Sequence, residues 1–162
     1  AAPFTVDNAR AKDGARYGTA TLRCIPPGGS IPVHAENLQL GRPGYDGIRD
    51  RVGSSLLSVY LVLRPAEAAG RLRIYDLRLE GRTQFALEGD GGALAAEQAR
   101  AMDARLRDAA FVEPDLRAGD VIVFDAGRFF HQVTRVEGAQ RRWTYGGFLA
   151  RETDRPHLML WS

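Results

Sequence analysis

The sequence predicts a mainly antiparallel β domain carrying one helical insert. Three observations lead there. Short runs rich in Val, Ile, Leu, Thr and aromatic residues recur along the chain, each bounded by Gly, Pro, Asn or Asp. Only Ala93 to Ala110 has the Ala, Glu, Gln, Arg and Leu composition of a helix. The order is strands, this helix, then strands again, with no internal repeat, linker or low-complexity segment.

Taken in order, residues 1 to 17 show no clear period and read as a lead-in. Gly18 to Ile25 is the first strand. Pro26 to Ser30 turns the chain, because proline fixes φ while Gly28 and Gly29 supply freedom. Ile31 to Gln39 is the next strand, with His34-Ala35-Glu36 at its centre. Gly41 to Gly53, with Tyr45 inside it, reads as a loop that either covers a site or simply connects. Ser54 to Leu63 is the most apolar run and is expected to be buried on both faces. Arg64 to Gly70 turns, and Arg71 to Leu79 is a strand whose Arg71 and Arg73 alternate outward against Leu72 and Ile74.

Glu88 to Gly92 breaks the pattern before the helix. There Leu94, Met102 and Leu106 form a thin stripe, as expected of a surface helix. Gly119 to His131 reads as a turn, an apolar strand, a second turn and then a histidine. A β-like run from Gln132 to Val136, a turn at Gly138 and the segment Arg141-Arg142-Trp143-Thr144-Tyr145 follow.

Composition narrows the function classes. At 162 residues the chain suffices for one domain with its own core. Its 22 basic and 20 acidic residues leave a net charge of +2. All the basic residues but Lys12 are arginines, and no basic run with interleaved aromatics suggests nucleic acid. Cys24 is the single cysteine, which excludes an internal disulfide framework and a cysteine-based zinc site. No stretch approaches a membrane span, and no signal peptide is visible, so a cytoplasmic location is expected. The chain opens on Ala1-Ala2-Pro3-Phe4 without an initiator methionine, and a missing N-terminal segment is expected.

His34 and Glu36 carry the first chemical signal. On an extended strand residues i and i+2 share a face, so the pair sets an imidazole beside a carboxylate. That supplies two of the three protein ligands of a facial metal triad. A third must come from His131 or His157, the only other histidines. The setting of His131, between two turn-bounded strands and ahead of a basic residue, favours it; His157, after Pro156, reads as structural or exposed.

His34-x-Glu36, then His131, then Arg142, resembles the Fe(II)/2-oxoglutarate-dependent oxygenases, over about Thr21 to Ser162. Leu56 to Leu63 and Gly70 to Asp76 look like the paired central strands of that family. The tail from Thr144 through Ala150 and Asp154 to Ser162 is similar to the carrier-independent branch that includes the WelO5-type alkaloid halogenases. The resemblance implies a double-stranded β-helix (jelly roll), the helix lying outside it. It also implies Fe(II) on His34, Glu36 and His131, with 2-oxoglutarate as co-substrate beside O2 and a small-molecule substrate. In the halogenases Gly or Ala replaces the carboxylate and opens a position for chloride. Glu36 fills that position here, which implies hydroxylation rather than halogenation.

A dicarboxylate needs a cation for its far end, and arginine makes the two-pronged contact. In the family an Arg-x-Ser/Thr holds that tail, which maps onto Arg142 and Thr144. Arg141 and Trp143 alternate away from them. Tyr60 has two readings: a hydroxyl partner of 2-oxoglutarate, or a core tyrosine bonded to backbone. The rival classes are a cupin-type dioxygenase or isomerase that uses no 2-oxoglutarate, and a jelly-roll binding module without catalysis. Gly28 through His34 and Gly119 through His131 also resemble the two cupin motifs, but the first of these carries His-x-His and a later Glu, and here Glu36 stands in place of the second histidine.

Overall fold

In a computed structural model, residues 5–41, 44–79 and 102–162 are described. Two sheets face each other. The larger runs β1-β12-β11-β4-β8, with β2 paired to β11 end to end with β12. Its strands are β1 (Thr5–Asn8), β2 (Thr21–Ile25), β4 (Val52–Arg64), β8 (Val121–Asp125), β11 (Arg142–Glu152) and β12 (His157–Trp161). The smaller runs β3-β9-β6-β7, from β3 (Ile31–His34), β6 (Leu72–Arg78), β7 (Phe111–Val112) and β9 (Phe129–Val133). A short ribbon of β5 (Ala68–Ala69) and β10 (Val136–Glu137) joins them at one end. Among the described residues all strand pairings are antiparallel except β1 with β12. The expected jelly roll is the observed fold.

Inward side chains divide into clusters. Ile48, Val52, Leu56, Met159 and Trp161 form the largest, below one end of the main sheet. Tyr75, Leu79, Phe130 and Ala35 form a second behind the small sheet. Met102, Leu106 and Ala109 pack against that second cluster, and residues 102–108 are helical. The described part of the expected helix therefore sits outside the barrel on a real apolar stripe; 93–101, with Leu94, lie outside the described residues.

Several expectations need correction. The strand expected to continue to Gln39 stops at His34, and a 3-10 turn (Glu36–Gly41) follows. The cause is backbone competition: Glu36 N–H donates to Ala126 O at 2.8 Å instead of extending the ladder with β9. β4 is central but not buried on both faces. Val62 is buried while Leu63, next to it, is 44% exposed, because the outer face of the sheet is open among the described residues. β4 and β6, expected as paired strands, belong to opposite sheets. The Gly41 to Gly53 loop holds a one-turn helix (Asp46–Arg49), pinned by the fully buried Ile48. Tyr45 stacks on Tyr17 and packs on the first cluster rather than covering the cavity. The lead-in contains β1. Arg71 is exposed as expected, but Arg73 is half-buried, 2.7 Å from Glu113 and over the Phe111 ring. No helix among the described residues is long and apolar enough to cross a membrane.

Candidate active site

The cavity between the sheets is built by inward residues of both. His34 ends β3 directly opposite His131 on β9, with ring centroids 4.2 Å apart. Each ring is oriented by its own strand: His34 Nδ1–H donates to Pro32 O at 2.7 Å and His131 Nδ1–H to Phe129 O at 2.9 Å. A histidine whose Nδ1 carries the proton presents Nε2 as a lone pair, the arrangement of a metal ligand held by its outer partner.

Glu36 completes the group by the 3-10 turn, not by strand alternation. Its N–H bond to Ala126 O ties it to the turn between β8 and β9, close to the start of the strand that carries His131. Asp125 braces that turn, accepting from Arg128 N at 3.2 Å and Arg128 Nε at 2.7 Å, and from Ser55 Oγ at 3.0 Å. Glu36 Oε1 then lies 3.2 Å from His34 Nε2 and 4.0 Å from His131 Nε2. One ligand atom from each of the three residues falls within 4.8 Å of the others.

Burial lowers the His34 pKa, but its hydrogen bond to Glu36 and the charge of that carboxylate outweigh burial and leave the pKa raised. Burial, and then the neighbouring His34, hold His131 down at about 4. The His131 imidazole is therefore neutral near pH 7. The Phe124 ring stands edge-on to His131, with ring centroids 5.0 Å apart.

The other end of the cavity is cationic. Arg142 opens β11 and is 5% exposed; Thr144, on the same face, is buried too. Arg142 Nη2 donates to Tyr60 Oη at 3.4 Å, and its guanidinium carbon lies 5.7 Å from the Tyr60 ring centroid. Among the described residues no carboxylate pairs with Arg142. Burial pushes its pKa down and that of Tyr60 up. The Tyr60 hydroxyl thus meets the buried arginine inside the cavity. Arg141 is exposed and Trp143 half-buried, as alternation required.

All six residues singled out from sequence, His34, Glu36, His131, Tyr60, Arg142 and Thr144, line this one cavity. His157 does not: its Nδ1 lies 2.9 Å from Glu152 Oε2, and Arg51 Nε donates to Glu152 Oε1 at 3.0 Å, a network that ties β11, β12 and the start of β4 together. Of the lining residues outside that set, Phe124 and Arg23 bear on the chemistry. Phe124 is legible in the sequence only as part of a strand. Arg23 shares an inward face of β2 with Thr21 and Ile25, and that alternation is the signal that could have found it.

A jelly roll with two oriented imidazoles and a carboxylate at one end of its cavity, and a buried arginine at the other, has the parts of a metal-dependent enzyme. The chain belongs to the family described as carrier-protein-independent halogenase WelO5, which it matches over residues 2–162. Its fold is similar to that of an N-substituted L-amino acid dioxygenase from Burkholderia ambifaria AMMD. The TM-score is 0.69 at 18% identity, covering 97% of this chain and 58% of that one. The structure of that dioxygenase in complex with alpha-KG gives 0.69 at 19% identity with the same coverage. The chain thus spans under two thirds of the length of these structures. A comparison with curated proteins found no sequence match.

Proposed function

We propose that this chain is the catalytic jelly roll of an Fe(II)- and 2-oxoglutarate-dependent oxygenase that hydroxylates a small molecule, with succinate and CO2 as co-products. The single observation that carries the reading is the pairing within one cavity of the His34, Glu36 and His131 group with the buried, carboxylate-free Arg142.

The donor set fits iron. Two neutral nitrogens and one carboxylate suit a divalent first-row ion and leave open positions for a chelating co-substrate and O2. Ligand atoms bound at ~2.1 Å sit about 3 Å apart at right angles, which matches the 3.2 Å between His34 and Glu36. The 4.0 Å between Glu36 Oε1 and His131 Nε2 is wider. Iron in this site supplies the oxidation in which O2, 2-oxoglutarate and a substrate C–H become succinate, CO2 and an alcohol.

The residues do the rest. Arg142 takes the distal carboxylate of 2-oxoglutarate two-pronged, and the Thr144 and Tyr60 hydroxyls donate beside it. The cation at this depth favours 2-oxoglutarate chemistry over a cupin reaction that has no use for it. The family description names a halogenase, but the resemblance implies Gly or Ala in the halogenases where Glu36 stands here, and a carboxylate ligand at that position favours hydroxylation. Small acids such as amino-acid derivatives, and secondary metabolites, are the candidate substrates.

The test is incubation with Fe(II), 2-oxoglutarate, O2 and a small-molecule library in chloride buffer, with succinate and product mass read together. A product heavier by one oxygen is expected. A chlorinated product from the wild-type chain would overturn the hydroxylase assignment, and turnover without 2-oxoglutarate would transfer the chain to the cupin class.

A further inference from the structure

One charge in the cavity has no role in the reaction as proposed. Arg23 lies on β2, opposite Thr144 in register, on the inward face with Thr21 and Ile25. It lines the same cavity as His34, Glu36 and Arg142, yet it is exposed where Arg142 is buried. Among the described residues no carboxylate pairs with Arg23, and Glu36 is the only acidic side chain that lines the cavity.

Charge counting then points outward. A divalent ion on the Glu36 carboxylate, with a dianionic co-substrate against Arg142, leaves the inner site neutral. Arg23 remains as an exposed cation on the cavity lining. A guanidinium there is matched best by a carboxylate, which it can grip with two parallel hydrogen bonds. Because it is partly solvated, it costs little when empty and still discriminates charge when the cavity fills.

We propose that Arg23 is a specificity-determining residue that binds a carboxylate of the prime substrate, so that the chain acts on anionic small molecules rather than on neutral ones. This rests on the oxygenase reading above. It assigns the two cavity arginines to different ligands, Arg142 to the co-substrate and Arg23 to the substrate.

The experiment uses matched acids and primary amides, with N-acetyl-L-leucine and N-acetyl-L-leucinamide as the first pair. Binding is measured by anaerobic calorimetry on the Mn(II)-loaded protein with 2-oxoglutarate present. Turnover is measured as succinate formed above the level without substrate. Acids are expected to bind at least tenfold tighter than their amides, and Arg23→Gln is expected to abolish that gap, with Arg23→Lys restoring part of it. Equal binding of acids and amides, no acid preference anywhere in the set, or a gap that survives in Arg23→Gln overturns the proposal. So does a variant that loses affinity for the co-substrate instead of for the acids, since Arg23 would then serve 2-oxoglutarate. Absence of 2-oxoglutarate binding to the wild-type protein marks failure of the oxygenase reading instead, and the acid–amide binding gap still decides on Arg23.

Discussion

Replacing Arg142 by methionine is expected to move two measurable quantities in opposite directions. Arg142 is 5% exposed, and its one hydrogen bond among the described residues is the 3.4 Å contact to Tyr60 Oη. In the protein without co-substrate it is a buried charge with no counter-charge, which costs stability. An unbranched apolar side chain of similar length removes that cost, and we expect Arg142→Met to stabilise the unliganded protein by about 1–2 kcal/mol. For a chain of this length that is a rise in Tm of roughly 2–8 °C. Binding of 2-oxoglutarate should suffer instead. Loss of a two-pronged charged contact at a dry site is worth about 3 kcal/mol, or roughly a 100-fold weaker Kd. Anaerobic calorimetry of the Mn(II)-loaded protein gives the Kd, and thermal melts with and without 2-oxoglutarate give the stabilities. Saturating 2-oxoglutarate should raise the wild-type Tm far more than that of the variant. An unchanged Kd would move the co-substrate cation to another arginine. A variant that melts much lower than wild type would show that the guanidinium holds the core together and is not a binding group.

Glu36→Ala should weaken Mn(II) or Zn(II) binding by about tenfold or more in equilibrium dialysis and abolish hydroxylation, since two imidazoles alone hold a first-row ion poorly; full hydroxylation by the variant would remove Glu36 from the ligand set. The Glu152 carboxyl is held down at about 2 from 4.5, first by Arg51 and then by His157. A depressed carboxyl stabilises the fold above its unfolded pKa, so this contribution is complete above pH 4.5 and lost as pH falls toward about 2. Glu152→Gln should therefore cost about 2 kcal/mol at pH 7 in urea unfolding, allowing for screening at Arg51, and much less at about pH 3; a gap independent of pH would refute the assignment. Gly146 pairs with Tyr60 across β11 and β4, and a Cβ there would collide with Val59 O and with Tyr60 Cβ. Gly146→Ala should destabilise the fold by more than about 2 kcal/mol, with Tyr60 displaced from the cavity; an unaltered Tm together with unaltered binding of 2-oxoglutarate would contradict this.

What the sequence determined by itself was local. Alternation put Arg142 and Thr144 on one face and sent Arg141 and Trp143 the other way, because a pleated strand has a period of two whatever it packs against. Turn residues around Val121–Asp125 and Phe129–Val133 marked two strands and set His131 on the second. Family likeness, carried by those same residues, supplied the jelly roll. Tertiary structure decided what depends on contacts distant in sequence. Glu36 meets the histidines because the bond from its N–H to Ala126 O ends the strand at His34, and that bond links segments some ninety residues apart. The sheet to which each strand belongs was equally out of reach: β4 and β6 read as neighbours but face each other across the cavity, since strand pairing is settled by long-range partners and not by composition. Arg23 looked like one arginine among many until the pairing of β2 with β11 turned it toward His34, because direction along a strand is local whereas the cavity it points into exists only once both sheets have closed.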